Sequence, residues 1–451
     1  MAKIKINSNL IDLKKTGTKF NVLWLSGTPQ IATGFATVAK NILKSLDDTG
    51  LFDFTILGIN HLGDYYDQKV YPYKIYRAQL HPQDDVYGRT RIFDFLKSDM
   101  FDLVITIYDP FIIAPMAEQL KQVQEMSRRR FKWLAYYPVD SPQDPDWVEK
   151  AVNLCDYPVA YTNYGKNEFL KVSSKLKDKI NVIHHGVNPK EYFPVGKNTV
   201  TEFNRRFFKS SPVTDKTFLI GNVGRNQHRK DFASTLVAYK KFKQLVPDSY
   251  LYLHTKENDV GGSIFRKAQR IGLKPGEDFS IPGGFSEYTG LPTHVLNMIY
   301  NSCDIMTSTN LGEGFGLSSI EAMATKTLCV MPDNTATSEI LAEGRGLLVK
   351  NGTTDSEWVN NGPIDLDRMR PRVNIDDLVS KWLWAYEHPE EKAKIEEKAY
   401  AWAVNHSWDK VNVAWVDLFK KATRELLAER YSKGATTDKR LGGVIKANKQ
   451  K

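Results

Sequence analysis

Short apolar runs alternating with helical stretches, twice over, constrain this chain more than any other feature of its sequence. The first set occupies residues 21–26, 54–60, 102–109, 132–140, 157–163 and 180–187. The second occupies 218–224, 249–255, 278–284, 303–309, 328–333 and 346–350. Several are apolar almost throughout, the pattern of strands covered on both faces of a parallel sheet. After the first run, Val38, Ile42, Leu43 and Leu46 fall on one helical face. Strand–helix alternation repeated in this way predicts two doubly wound α/β domains. The length of 451 residues agrees, because one core rarely supports a chain beyond about 300 residues.

The expected domains span 1–195 and 196–405. Between them the stretch 187–200 (VNPKEYFPVGKNTV) carries prolines, glycine and polar residues without a helical period, and reads as the linker. Residues 406–430 read as an amphipathic helix, with Val411, Trp415, Leu418, Phe419, Ala422 and Leu426 on one stripe. Residues 431–451 read as a basic, disordered tail. In open parallel sheets ligands bind beyond the strand C-termini, so two such domains facing across a cleft would carry their chemistry on loops that follow strands.

Bulk properties exclude several classes. Hydrophobic residues make up 41% and charged residues 25%, as in an ordinary globular protein. No apolar run approaches the ~20 residues needed to cross a bilayer. The opening MAKIKINSNLIDLKK has no apolar segment behind its lysines and is not a secretory signal. Cys155, Cys303 and Cys329 are too few and too scattered for a disulfide framework or a zinc site. The expectation is a soluble, cytoplasmic protein. The net charge of +9 is confined to the ends: residues 1–20 carry +4 and 431–451 carry +5, leaving the body formally neutral. Such ends are either solubilising or arms that touch a polyanion, DNA or an anionic membrane.

The chemistry concentrates after two runs of the second set. In 308–324 (STNLGEGFGLSSIEAMA) a strand ends near Thr309, a glycine-rich loop follows and a helix starts near Ser318. Gly314 and Gly316 let the backbone approach a ligand, and the helix start offers N–H groups to a phosphate. Glu313 and Glu321 are carboxylates suited to sugar and ribose hydroxyls. Ser318-x-x-Glu321 also fits a capping box, which would occupy Glu321 without any ligand. In 221–230 (GNVGRNQHRK), Arg225 and Lys230 sit where cations can neutralise a diphosphate leaving group; a solvated basic turn is the plain alternative.

Together these residues resemble the retaining GT-B glycosyltransferases with an E-x7-E motif, the group 1 or family 4 type. Gly224-Arg225 with Lys230, Ile299-Tyr300 with Asp304, and Glu313-Gly314-Phe315-Gly316-Leu317 through Glu321-Ala322-Met323-Ala324 carry the resemblance. His185-Gly186-Val187-Asn188, Phe193-Pro194 and Ser407-Trp408 add to it. The resemblance implies a GT-B fold whose C-terminal helix returns to the first domain. It implies that Arg225 and Lys230 bind the donor diphosphate and stabilise its charge. Glu313 would hold sugar hydroxyls, assisted by the backbone of Gly314, Phe315, Gly316 and Leu317, and Glu321 would bind the ribose. The loop 28–34, ending in Thr33 and Gly34, is similar to the family's glycine loop near the donor phosphates. No metal and no cofactor are implied, the nucleotide-diphosphate sugar being a substrate.

Three departures stand out. Asp231 follows Lys230 where the family often has glycine, and Thr325-Lys326 follow the EAMA segment where a small residue and glycine are usual. Many members carry a histidine at the strand end where this chain has Asp140, which becomes the candidate for touching the reacting sugar or acceptor hydroxyl; a turn cap in Asp140-Ser141-Pro142 is the alternative. His184 and His185 are adjacent, and strand neighbours point opposite ways, so they are not expected to share a metal.

The implied activity is sugar transfer with retention from a nucleotide sugar to a glycan or lipid-linked saccharide. DNA with a hydroxymethylated base, as in bacteriophage DNA glycosyltransferases, is an alternative acceptor, compatible with the basic ends, with Arg128-Arg129-Arg130 and with Tyr65 and Tyr66. A non-catalytic sugar-nucleotide-binding module is a further alternative.

Overall fold

The computed structural model describes residue 8 and residues 11–97, 100–127, 130–283 and 290–432. The expected tail from 433 onward, residues 1–7, 9 and 10 of the N-terminal lysine-rich arm, and Arg128 and Arg129 lie outside the described residues. The chain divides into two compact units. One comprises Met1–Pro138, Pro142–His184 and Val411–Lys451; the other comprises Val139–Ser141 and His185–Lys410.

In the first unit, β1 Phe20–Gly27, β2 Phe52–Ile59, β3 Lys74–Arg77, β4 Leu103–Ile107, β5 Lys132–Tyr137, β6 Tyr157–Ala160 and β7 Asn181–Val182 form one sheet. Its order is β3-β2-β1-β4-β5-β6-β7, with every pairing parallel. β1 and β4 are buried almost throughout, which is why their sequences lack polar alternation. Strand order reverses between β1 and β4, a doubly wound switch point. β3 escapes the apolar reading because it is an edge strand whose Lys74 and Tyr76 are exposed. The helix Trp408–Ser432 belongs to this unit from Val411 onward. Its Trp415 ring meets Tyr136 edge-on at 4.7 Å, Phe419 meets Phe52 at 5.5 Å, and Arg430 pairs with the fully buried Asp102 at 2.7 Å. The implied return of this helix to the first domain is therefore seen.

In the second unit, β8 Phe218–Val223, β9 Ser249–His254, β12 Phe279–Ser280, β13 Ile305–Thr307, β14 Leu328–Pro332 and β15 Leu347–Val349 form a parallel sheet in the order β12-β9-β8-β13-β14-β15. Phe218, Ile220, Leu251, Ile305 and Val330 pack with Phe232, Leu236 and Trp382 from the covering helices. Two short hairpins lie outside the sheet: β10 Asn258–Asp259 with β11 Gly262–Ser263, and β16 Trp358–Asn360 with β17 Met369–Pro371. Neither was expected, because both are polar and too short to show a period. The switch point of this sheet falls between β8 and β13, whose following loops carry the two motifs singled out by sequence.

The stretch expected as a linker is only partly irregular, since a helix opens within it at Lys197 and runs to Phe207. Phe193 and Val195 are pinned instead to the helix Thr293–Ser302, their N–H groups donating to Asn297 (3.0 Å) and Asn301 (2.7 Å). Val187 bridges Ser407, and a Cβ on Gly186 would lie 2.5 Å from the Trp408 nitrogen. That close approach brings together two motifs far apart in sequence. His185 is buried with its ring 4.6 Å from Phe315, a packing role.

Candidate active site

The loop after β8 folds its lysine back over its glycine. A Cβ on Gly224 would lie 3.7 Å from Lys230 Cδ and Cε, so the side chain crosses the Gly224 backbone. Lys230 Nζ donates to Glu313 Oε1, joining the first motif to the second. Burial pushes the Lys230 ammonium below the usual lysine range, as does neighbouring Arg229, while Asp140 pulls the other way. Further bonds join the loops: Leu311 N–H donates to Arg229 O at 2.7 Å, Arg229 Nη1 donates to Gly312 O at 2.9 Å, and Thr309 Oγ1 donates to Asp231 O at 2.8 Å. Arg225 is half-exposed and forks onto Asp259 of the β10–β11 hairpin at 2.7 and 3.2 Å. Burial would raise the Asp259 carboxyl, but Arg225 holds it below its ordinary value.

Asp231 explains how the chain does without the usual glycine. It adopts the left-handed conformation (φ 42°, ψ 50°) that glycine adopts without penalty, and caps the helix Phe232–Leu245. Its carboxylate accepts from Ser234 Oγ at 2.6 Å and from Arg372 Nε at 3.0 Å. Lys326, the other departure, also has positive φ (58°). Both residues thus hold a conformation that glycine adopts without penalty.

After β13 the chain reaches Glu313, which is buried; its N–H donates to Thr335 Oγ1 at 2.9 Å. Thr335 itself holds φ 45°, a strained conformation for a β-branched residue, where it meets the Glu313 backbone. Gly316 has φ 89° and is the N-cap of the helix Leu317–Ala324, with Gly314 and Phe315 buried before it. Because the cap is Gly316, the capping box between Ser318 and Glu321 is not formed. Glu321 instead accepts from Tyr300 OH at 2.7 Å and from the Tyr192 hydroxyl. Burial raises its carboxyl to about 7, the tyrosine hydrogen bonds offsetting part of that. Asp304, the other end of the tyrosine–aspartate motif, ties β13 to β8 by accepting from Leu219 N–H at 2.8 Å.

Asp140, placed by sequence in the first domain, belongs to the second unit. Three arginines surround it: Arg370 Nη2 at 3.3 Å, Arg368 Nη1 at 3.5 Å and Arg229 Nε at 3.6 Å. Burial raises its carboxyl, but Arg370, Arg229 and Arg368 outweigh that and hold it below the ordinary aspartate value. It is an ionised acceptor, not a proton reservoir. In the first unit, Thr33 caps the helix Gly34–Asp47, its hydroxyl accepting from Ala36 N–H at 3.3 Å, and Phe35 stacks on Tyr108 at 4.5 Å. This helix follows β1 at the switch point of its own sheet.

Residues 220–361 match the family model described as Glycosyl transferases group 1. This segment is a group 1 glycosyltransferase domain. The match contains the whole of the Lys230, Glu313 and Glu321 arrangement. Alpha-maltose-1-phosphate synthase of Mycolicibacterium smegmatis is 24% identical over 260 residues, 54% of this chain and 64% of that protein. D-inositol 3-phosphate glycosyltransferase of Corynebacterium urealyticum is 24% identical over 268 residues, 57% of this chain and 56% of that protein. The alignments thus span somewhat over half the length of these curated relatives. Among solved structures, Anabaena HepE in complex with UDP and glucose superposes with a TM-score of 0.65 at 15% identity, covering 89% of this chain and 99% of that one. The GT-B fold is thereby shown.

Sequence reasoning missed Arg229, Arg368, Arg370, Arg372 and Tyr192. A signal for three of them exists: Arg368, Arg370 and Arg372 alternate, so along the extended stretch around β17 they share one face. Among the described residues no group of three or more His, Cys, Asp or Glu side chains is arranged to hold a metal ion. No helix among them is long and apolar enough to cross a membrane.

Proposed function

We propose that the chain transfers a sugar from a nucleotide-diphosphate sugar to an acceptor hydroxyl, without a metal ion and with retention of anomeric configuration. The observation that carries this reading is the meeting of Lys230 and Glu313 at the β8/β13 switch point, just before a helix N-terminus. A diphosphate brings the negative charge that Lys230 lacks as a partner once Glu313 turns to sugar hydroxyls. Arg225 would exchange Asp259 for a phosphate oxygen, a bidentate contact of the same geometry. The N–H groups opening the helix Leu317–Ala324 add a fixed positive end. Cations and helix end together supply the leaving-group stabilisation for which a metal would otherwise serve.

Glu321 takes the ribose hydroxyls in place of its tyrosine partners, and Asp140 accepts from a sugar or acceptor hydroxyl while ionised. In the transfer itself the sugar–phosphate C–O bond breaks, the acceptor oxygen bonds to the same carbon on the same face, and the acceptor proton passes to the departing diphosphate. No protein carboxylate need form a covalent intermediate. HepE, solved with UDP and glucose, supports a nucleotide-sugar donor. The acceptor we propose is a glycan or lipid-linked saccharide. The test is a thermal-shift panel of UDP-, ADP- and GDP-sugars, followed by transfer assays in excess EDTA with NMR of the product anomer. Retained configuration and chelator-resistant turnover are expected; inversion, or activity restored only by manganese, would refute the mechanism.

A further inference from the structure

Between β15 and the helix Ile375–Glu387 the chain makes the hairpin β16–β17, and this hairpin reaches both motifs of the donor site. Arg370 is 1% exposed. Its guanidinium forks onto Asp365, with Nε to Oδ2 at 2.6 Å and Nη2 to Oδ1 at 2.8 Å. The same group donates to Asp140, from Nη1 to the backbone oxygen at 2.8 Å and from Nη2 to Oδ1 at 3.3 Å. Gly312 lies against that oxygen: a Cβ there would be 2.0 Å from Asp140 O and 2.9 Å from Arg370 Nη1. The next residue is Glu313. Two positions along the same face, Arg372 holds Asp231, the residue after Lys230.

We propose that the hairpin is a positioning element of the donor site, and that Arg370 sets the loop carrying Glu313 by holding Asp140 O against Gly312. The proposal rests on the donor-site reading above for its catalytic consequence, not for its geometry. Physical chemistry favours positioning over stabilisation as the reason for this arrangement. Burying a guanidinium costs desolvation, and an apolar filler of similar volume often gives equal or greater stability. What an apolar side chain cannot do is fix two acceptors in one plane, which the arginine fork does. Gly312 can approach only because it lacks a Cβ, so the register of the glutamate loop depends on where Arg370 holds the Asp140 backbone.

The test uses the full chain with Arg370→Lys, which keeps charge and most volume but lacks the fork, and Asp365→Asn, which keeps shape and weakens it. Met369→Ala, on the exposed side of the hairpin, is the control. Hydrogen exchange of the 311–317 amides needs no ligand, and should quicken about tenfold or more in both hairpin variants but not in the control. With the donor found in the panel, kcat should fall about 10-fold or more, as for a loop displaced by a fraction of an ångström. Affinity for the corresponding nucleoside diphosphate, which lacks the sugar, should stay within about threefold. Unchanged exchange at 311–317 would overturn the proposal, as would equal losses of nucleoside-diphosphate and sugar-nucleotide affinity accompanied by global destabilisation. Quickened exchange in a chain that binds no donor in the panel would uphold the clamp and sink the donor reading instead.

Discussion

Glu321 offers the sharpest test, because its carboxyl is buried against Tyr192 and Tyr300 and titrates near neutrality. Burial raises it from 4.5 to about 7, against the pull of the two tyrosine hydroxyls. A folded-state value above the unfolded one means stability that is complete below pH 4.5 and lost as pH rises through about 7. At 1.36 kcal/mol per unit the shift corresponds to about 2–3 kcal/mol, the lower figure allowing for solvent at a partly exposed side chain. Glu321→Gln keeps the shape and the acceptor oxygen but does not ionise, so it should escape this loss. At pH 5 the variant and the wild type should melt alike. At pH 8 the variant should melt higher by roughly 4–10 °C, the shift that 2–3 kcal/mol produces in a domain of this size. Calorimetry at the two pH values measures the difference, and comparing the pair removes other titrating groups. Donor binding gives a second reading, since hydroxyls donating to Glu321 favour its ionised form. Below pH 7 binding should release a proton in the wild type and none from this site in the variant, seen by calorimetric titration in buffers of different ionisation enthalpy. Parallel melting curves for the two proteins from pH 5 to 8 would refute both the buried-carboxyl assignment and its proposed link to the ribose.

Other expectations follow from the same geometry. Lys230→Ala should lower kcat/KM by about 10² or more in the transfer assay, typical of losing one charge-stabilising group, and full activity would place the diphosphate elsewhere. Asp231→Ala keeps the left-handed backbone but loses the cap, so urea unfolding should show a loss of about 1–2 kcal/mol, and Asp231→Gly a smaller one; the reverse order would disprove the capping account. Removal of 433–451 tests the acceptor: transfer to a soluble saccharide should be unchanged. A salt-steep affinity for DNA whose slope flattens on truncation would favour the DNA acceptor instead.

Most of the fold was legible because parallel strands buried on both faces must be apolar. β1, β4, β8, β9, β13 and β14 therefore announced themselves, and the stripe from Val411 to Leu426 foretold which face of the last helix is buried. Where burial is one-sided or slight the signal fades, as at edge strand β3 and the two polar hairpins. Within the candidate site, Lys230, Glu313 and the glycine loop stood out because they directly follow strands, although a solvated basic turn also accounts for a lysine at that place. Tyr192 was not, because nothing about a tyrosine in an irregular segment points to a glutamate more than a hundred positions away.

The sequence alone thus determined the doubly wound class, the strands whose ends carry the candidate site and the identity of the charged groups there. Those features depend on local periodicity and on side-chain type, both readable in one dimension. Only the tertiary structure decided which charges meet. It gave Asp140 to the second unit among three arginines, replaced a capping box by Gly316 and left Glu321 to two tyrosines, and brought the β16–β17 hairpin against Gly312. It also showed that Asp231 and Lys326 occupy left-handed positions of the kind glycine favours. The physical reason is range: a hydrogen bond or an ion pair acts over a few ångströms, and the partners at this site lie up to 230 residues apart along the chain.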